Sequence, residues 1–123
     1  NSEDGLDEIS PYAKTNVIQL KDNKISEIII DPKEFNIKAD KFDNLLGDDA
    51  KFNANKMIDI FNGEDNDFSK AVCLNAAAGL IINETHQNFA DAYKNAREHI
   101  LSKKVIKHLE KIQNGWKRSW KNN

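Results

Sequence analysis

The sequence predicts a chain of mixed α and β structure, in which an irregular segment and one β-hairpin are followed by four to five helices. Two observations predict this order. Two runs rich in β-branched residues, 16–20 and 25–30, lie near the start of the chain. Beyond Asp31-Pro32, apolar residues recur instead at the three- and four-residue spacing of helices. The chain therefore combines a small sheet with a larger helical part.

Length and composition limit the class of protein. The 123 residues suffice for one domain with a modest core. No apolar run approaches the roughly 20 residues of a membrane helix. The single cysteine, Cys73, excludes an internal disulfide framework and fits a reducing compartment such as the cytoplasm. The first 65 residues hold 15 acids and 8 bases, and the rest hold 5 acids and 10 bases. This asymmetry favours a solvated helical face with a basic tail over an anion-binding surface.

The first element is an irregular loop through Gly5-Leu6-Asp7-Glu8 that runs to Pro11. Neighbouring side chains point to opposite faces of a strand and diverge on a helix, so only an irregular loop easily aims both carboxylates at one point. Such a pair suits Mg²⁺, which takes one or two protein carboxylates and completes its shell with water and substrate phosphates. Asp7 and Glu8 are therefore candidate metal ligands. We expect Asp4 to be exposed and Gly5 to serve the turn. On these residues alone, a solvated acidic segment is the commoner explanation.

The second element is an antiparallel hairpin. Its strands, 16–20 and 25–30, are joined by Lys21-Asp22-Asn23-Lys24. Aspartate and asparagine tolerate the left-handed conformations of tight turns. Asp31-Pro32 ends the second strand, because proline cannot donate a hydrogen bond to the sheet.

The helices follow in order. A short one begins at Asp40 and ends at Gly47, and a second runs from Asp48 or Asp49 to Gly63. The predicted inward positions of the second are Ala50, Ala54, Met57, Ile58 and Phe61. The third, 68–82, has Asp67 as its predicted N-cap and is apolar almost all round, which predicts burial on every side.

The last two helices are amphipathic. One begins near Asn88, which with Asp91 resembles a capping box. Its predicted inward positions are Phe89, Ala92, Tyr93, Ala96, Ile100 and Leu101. The other covers 104–114, and a basic stretch with two tryptophans follows it.

Several residues invite a functional interpretation but are better explained structurally. Asn75 is expected to satisfy hydrogen bonds in the core, and Cys73 to act as a small hydrophobe. The histidines lack metal-ligand spacing and are expected at the surface; they are His86, His99 and His108. Trp116 and Trp120 are expected in a fraying or packed tail rather than a nucleic-acid surface.

The predicted elements do not cover one another fully. A two-stranded hairpin is marginal by itself, and helix 68–82 needs neighbours on every side. We therefore expect the chain to be part of something larger, with apolar surface exposed along 68–82 when it is isolated.

Five features in order resemble the C-terminal part of the anthranilate phosphoribosyltransferase family. They are Asp4-Gly5-Leu6-Asp7-Glu8-Ile9-Ser10, the hairpin, Asp31-Pro32-Lys33-Glu34-Phe35, Gly47-Asp48 with Asn53-Ala54, and Leu74-Asn75-Ala76-Ala77-Ala78. Their order and spacing match over positions 2 to 113. The chain departs from the family pattern at Asn1-Ser2, where His-Gly is common, and at 12–15, where Thr-Gly-Pro-Thr often occurs.

The resemblance implies an α/β fold, namely the C-terminal part of a nucleoside phosphorylase/phosphoribosyltransferase-type catalytic domain over 1–113, followed by a basic C-terminal tail, 114–123. It implies a transferase of tryptophan biosynthesis, in which the amine of anthranilate displaces pyrophosphate from C1 of phosphoribosyl pyrophosphate. Asp7 and Glu8 would hold its cofactor, Mg²⁺. The full-length protein would be a cytoplasmic homodimer that binds neither nucleic acid nor membrane. Because the family's phosphate loop and anthranilate site precede this region, no catalytic residue is expected here and the fragment alone is expected to be inactive.

Two alternatives remain open. A related phosphoribosyltransferase with another acceptor would share this segment, because the family selects the acceptor upstream. A non-catalytic helical interaction module would instead use the basic tail to bind a partner or an acidic polymer.

Overall fold

A two-stranded antiparallel sheet and four α-helices form the chain, in the order predicted. The computed structural model describes residues 1–39 and 41–119. The strands and helices are β1 (Thr15–Lys21), β2 (Lys24–Ile30), α1 (Ala50–Phe61), α2 (Asp67–Ile82), α3 (Phe89–Leu101) and α4 (Lys104–Ser119). Two short 3₁₀ turns, Pro32–Phe35 and Phe42–Leu45, lie between β2 and α1.

The predicted hairpin is confirmed, and its connection is a two-residue turn, because Lys21 and Lys24 belong to the strands. Thr15 lies opposite Ile30, and Lys21 lies opposite Lys24. Asp22 and Asn23 both have positive φ, 50° and 58°. Two consecutive left-handed residues match the twist of the flanking strands, which is why this turn closes the hairpin.

The connection from the hairpin to α1 differs from the prediction. Asp31 ends β2 as expected, and its carboxylate then accepts a hydrogen bond from Lys33 N at 3.0 Å, which starts the first 3₁₀ turn. The helix predicted from Asp40 to Gly47 is only the second 3₁₀ turn, and its N-cap position, Lys41, makes no side-chain capping bond. Too few residues follow to propagate an α-helix beyond its costly first turn. Asp40 itself lies outside the described residues.

Helix α1 has the predicted ends but not the predicted inner face. Asp49 caps it through a 2.7 Å bond from Phe52 N, and Gly63 follows its end with a φ of 102°. Its buried residue is Ile60, whereas Met57 is 42% exposed. The helix touches its neighbours mainly through its last turn, so the middle of the predicted apolar face lies at the surface.

Helix α2 is the centre of the fold. Adjacent residues on it serve two separate clusters. Leu74 packs with Ile9, Ile30 and Ile37, and Cys73 packs with Ile60, Ala96 and Ile100. Because successive side chains on a helix diverge, one helix can support the hairpin on one side and α3 on the other.

One prediction about α2 is wrong and another is confirmed. Its N-cap is Asn66 rather than Asp67, because Asn66 and Ser69 form a reciprocal capping box. In this chain the helix is not covered on every side, since Val72 is 40% exposed and Ile82 is 80% exposed. The expected apolar surface along 68–82 is therefore confirmed at these two positions.

The hairpin exposes more apolar surface than α2 does. Large side chains on both strands are exposed, including Ile18, Leu20, Ile25 and Ile29. The hairpin and the end of α2 border a groove of about 640 Å³ lined by residues such as Ile28, Ile81 and Phe89. A lone hairpin can bury only one face against a helix, so its other face stays open.

The last two helices follow the predicted pattern with small changes. Asn88 caps α3 by accepting a 2.8 Å bond from Asp91 N, and its amide in turn donates to the Asp91 carboxylate at 2.5 Å. The predicted inner face of α3 is buried at Ala92, Ala96 and Ile100 but not at Leu101. Helix α4 continues to Ser119, past its predicted end at 114, and therefore includes Trp116. Trp120 and the rest of the predicted tail, 120–123, lie outside the described residues.

Candidate metal centre

Residues 3–14 form a closed loop, named here the acidic loop. Ser2 forms an isolated antiparallel bridge with Thr15, and Asn16 N donates to Asn1 O at 2.9 Å. Glu3 N donates to Lys14 O, also at 2.9 Å, just inside the bridge. The two ends of the loop are thus held side by side at the start of β1. The backbone between them is irregular, as the predicted metal site requires.

Gly5 and Asp4 shape the first half of the acidic loop. Gly5 has a φ of 94°, which confirms its predicted role in the turn. Asp4 was expected to be exposed, but it is half-buried and accepts hydrogen bonds from Ser10 Oγ at 2.5 Å and Leu6 N at 3.3 Å. Burial acts to raise the pKa of the Asp4 carboxyl, yet the interactions with Ser10, Ser2 and Leu6 lower it below its usual value. Asp4 therefore holds the loop together.

Ser10 makes four of the hydrogen bonds that hold the acidic loop together. Its side chain is fully buried. While its hydroxyl donates to Asp4, the same oxygen accepts from Tyr12 N at 3.0 Å and Ala13 N at 3.3 Å. Its own N–H donates to Thr15 Oγ1 at 3.2 Å. The sequence analysis did not identify this role, although a serine before a proline is a known turn signal.

Asn75 of α2 is hydrogen-bonded to Ile9, in the second half of the acidic loop. Its Oδ1 accepts from Ile9 N at 3.0 Å, and its Nδ2 donates to Ile9 O at 3.1 Å. The same Nδ2 donates to Ala71 O, one turn earlier on α2, at 2.9 Å. The prediction that Asn75 satisfies hydrogen bonds in the core is confirmed, and its partner is the residue directly after Glu8.

A buried carboxylate forms a second link between the acidic loop and α2. Asp67 is only 4% exposed. It accepts from the Tyr12 hydroxyl and from Asn44 Nδ2, both at 2.9 Å, and from Lys70 Nζ at 2.8 Å. Lys70 also donates to Lys38 O at 2.6 Å. Sequence reasoning missed this network because its members lie far apart along the chain.

Asp7 and Glu8 lie at the tip of the acidic loop, between two fixed residues. Leu6 N donates to Asp4 and Leu6 O accepts from Ser2 N at 2.9 Å, while Ile9 is held by Asn75. Both acidic side chains are exposed. Within 1–39 and 41–119, neither carboxylate accepts a hydrogen bond or forms an ion pair, whereas the carboxylate of the neighbouring Asp4 accepts hydrogen bonds from Ser10 and Leu6. Their oxygens are therefore available to a ligand.

The donor set fits magnesium and fits a transition metal poorly. Across the described part of the chain, no group of three or more His, Cys, Asp or Glu side chains could hold a metal ion. A site with two carboxylates needs oxygen atoms from water or substrate to complete it, which is how Mg²⁺ is usually bound beside phosphates.

The remaining candidate residues have structural surroundings. Burial raises the pKa of the Cys73 thiol to about 11, so it is protonated at neutral pH and acts as a small apolar group. His99 and His108 are exposed and His86 is half-buried, with its Nδ1 3.2 Å from Thr85 Oγ1. Among the described residues, no helix combines the length and apolar character that crossing a membrane would require.

A family model described as "Glycosyl transferase family, a/b domain" matches residues 1–105. The chain therefore belongs to this family, and the predicted α/β class is confirmed. The match includes the acidic loop and ends at the start of α4.

The relatives are more specific. A Pelagibacter ubique (strain HTCC1062) protein named anthranilate phosphoribosyltransferase is 74% identical over 114 residues, which are 93% of this chain and 34% of the relative. Proteins of the same name from Thermoanaerobacter sp. (strain X514) and Clostridium beijerinckii are 38% identical over 91 residues and 33% identical over 112 residues. These segments cover 74% and 91% of this chain and 27% and 33% of the relatives. The resemblance inferred from the motifs is confirmed, and the chain spans about a third of the length of these relatives.

Proposed function

We propose that the full-length protein carrying this chain is a magnesium-dependent anthranilate phosphoribosyltransferase of tryptophan biosynthesis. One observation carries the proposal: 74% identity over 114 residues to a protein of that name. The family match begins at residue 1 and so includes Asp7 and Glu8. From the family resemblance we also propose a cytoplasmic homodimer and a role for this segment that is not catalytic by itself.

The proposed reaction makes one bond and breaks one. The anthranilate nitrogen bonds to C1 of phosphoribosyl pyrophosphate, the bond from C1 to the pyrophosphate oxygen breaks, and the nitrogen loses a proton. Negative charge grows on the departing pyrophosphate, so catalysis depends on positioning and on preplaced positive charge. Mg²⁺, when bound, supplies that positive charge.

The residues of this chain contribute the ligands and their support. Carboxylates repel pyrophosphate directly, so Asp7 and Glu8 are useful to this reaction only as ligands of a cation. Their exposure and lack of other partners in the described structure support this role. The hydrogen bonds at Leu6 and Ile9 hold the backbone on either side of them.

The test uses a full-length protein in which this chain replaces the matching segment of the Pelagibacter ubique relative, named here the full-length chimera. Transfer is followed by the loss of anthranilate fluorescence with phosphoribosyl pyrophosphate and Mg²⁺. The double variant Asp7→Asn/Glu8→Gln should lose kcat/KM on the order of 100-fold, as when a preplaced electrostatic group is removed. The control, Glu3→Gln/Asp22→Asn, removes the same charge from two exposed residues and should retain activity. Equal activity of the two double variants would contradict the metal assignment.

The acceptor needs a separate measurement. The full-length chimera is offered anthranilate and a panel of other aromatic amines and nitrogen heterocycles. We expect transfer to anthranilate. Transfer to another acceptor in its place would favour the related phosphoribosyltransferase, and no transfer together with salt-sensitive RNA binding that requires 114–123 would favour the interaction module.

A further inference from the structure

We propose that Asn75 is the positioning residue of the Asp7–Glu8 pair: its amide fixes the backbone of the acidic loop so that both carboxylates can serve one cation. The inference rests on the proposed function, since it assumes that these carboxylates bind a cation. Asn75 lies on α2, 66 positions along the chain from its partner Ile9. It would support the metal site without being a metal ligand.

The amide of Asn75 is held in one orientation. Its Nδ2 donates to Ala71 O at 2.9 Å as well as to Ile9 O at 3.1 Å, while Oδ1 accepts from Ile9 N at 3.0 Å. A flipped amide would place a donor against Ile9 N–H and lose all three bonds. The Asn75 side chain therefore bonds to both the backbone N–H and the backbone carbonyl of Ile9, and so fixes Ile9 relative to α2.

Ile9 is fixed by its side chain as well. It is 8% exposed and packs in the cluster that contains Leu74, the residue before Asn75. Because Ile9 directly follows Glu8, its position limits where the Glu8 Cα can lie, since consecutive Cα atoms are about 3.8 Å apart. The bonds at Leu6 limit Asp7 in the same way from the other side. Outer residues that orient ligands in this manner commonly affect metal affinity by about 10- to 100-fold.

The second link from the acidic loop to α2 provides a matched control. The Tyr12 hydroxyl also bonds to α2, through Asp67 at 2.9 Å, but Tyr12 lies beyond Ser10 and Pro11 from the acidic pair. If a general loosening of the loop controlled metal binding, Tyr12→Phe and an Asn75 variant would act alike. If Asn75 acts through Ile9, only the Asn75 variant changes the metal site.

The experiment measures the Mn²⁺ affinity of the full-length chimera by the loss of the electron paramagnetic resonance signal of free Mn²⁺, without pyrophosphate because pyrophosphate itself binds Mn²⁺. Asn75→Leu, which keeps a helix-compatible side chain of similar size, should weaken Mn²⁺ binding about tenfold. Tyr12→Phe should leave it within about twofold. Asn75→Gln keeps the amide but lengthens its reach, and an intermediate loss is expected. If Asn75→Leu does not fold, Asn75→Gln provides the test of the positioning role.

The outcomes separate the two proposals. Asp7→Asn/Glu8→Gln should abolish Mn²⁺ binding, and its failure to do so would overturn the proposed metal site itself. If that double variant abolishes binding while both Asn75 variants bind normally, the metal site stands and the positioning role of Asn75 is wrong. Equal weakening by Tyr12→Phe and Asn75→Leu would also overturn the positioning role.

Discussion

Replacing Tyr12 by phenylalanine removes the hydroxyl that donates a hydrogen bond from the acidic loop to Asp67 at the start of α2. The hydroxyl lies 2.9 Å from a buried Asp67 oxygen, and the Tyr12 ring also packs against Phe42 at a centroid distance of 6.1 Å. The substitution keeps the ring contact and removes the hydroxyl. A hydrogen bond to a charged group contributes roughly 1.5–3 kcal/mol. Because Asn44 and Lys70 still donate to Asp67, we expect the lower end, about 1.5 kcal/mol.

That magnitude predicts about a tenfold increase in the population of the opened loop, since 1.4 kcal/mol corresponds to a factor of ten. Amide hydrogen exchange of the full-length chimera, measured by mass spectrometry, should show peptides that cover 10–15 exchanging about tenfold faster. Tyr93→Phe is the matched control, because the described residues provide no hydrogen bond to the Tyr93 hydroxyl. Unchanged exchange in Tyr12→Phe, or the same acceleration in both variants, would refute the reasoning.

Three further predictions concern stability, each followed by thermal unfolding of the full-length chimera. Leu74→Ala removes a fully buried side chain and should cost about 2–5 kcal/mol; a loss below about 1 kcal/mol would contradict the described core. Asn66→Ala breaks the capping box of α2 and should cost about 1 kcal/mol. An unchanged midpoint would contradict the assignment of Asn66 as the N-cap and favour Asp67. Asp4→Asn should lower the midpoint at pH 7. Because the folded-state pKa of Asp4 is lowered, its stabilising effect is present above the usual value of 3.8 and is lost below it, so the difference from the parent should shrink there; a constant difference would argue against the carboxylate contacts.

Local sequence signals determined the elements of this protein. Consecutive Asp22 and Asn23 predicted a tight hairpin turn, and both residues have the left-handed backbone that such a turn needs. Asp49, Gly63 and Asn88 mark helix ends as predicted, because capping involves residues only a few positions apart. The predicted N-cap of α2, Asp67, is wrong by one residue, because Asn66 occupies that position. Both are good N-cap residues, and the reciprocal bond to Ser69 decides between them.

Burial was decided by tertiary structure. The spacing along α1 predicted an inner face through Met57, but the neighbouring helices reach mainly its last turn, where Ile60 is buried. Likewise, the composition of α2 predicted burial all round, yet the chain supplies neighbours for only some of its faces. Apolar periodicity shows which residues can be buried, while the number and placement of neighbouring elements decide which of them are.

In the acidic loop, too, some features were predictable from the sequence and others were decided by tertiary structure. The sequence alone indicated Asp7 and Glu8 as candidate metal ligands, the irregular backbone around them and the turn at Gly5, since these depend on adjacent residues. It could not show that Asn75 holds Ile9 or that Asp67 receives Tyr12 and Asn44, because these bonds join residues 23 to 66 positions apart. Hydrogen bonds of such separation exist only once packing has brought α2 beside the loop, so the support of the site is a property of the tertiary structure.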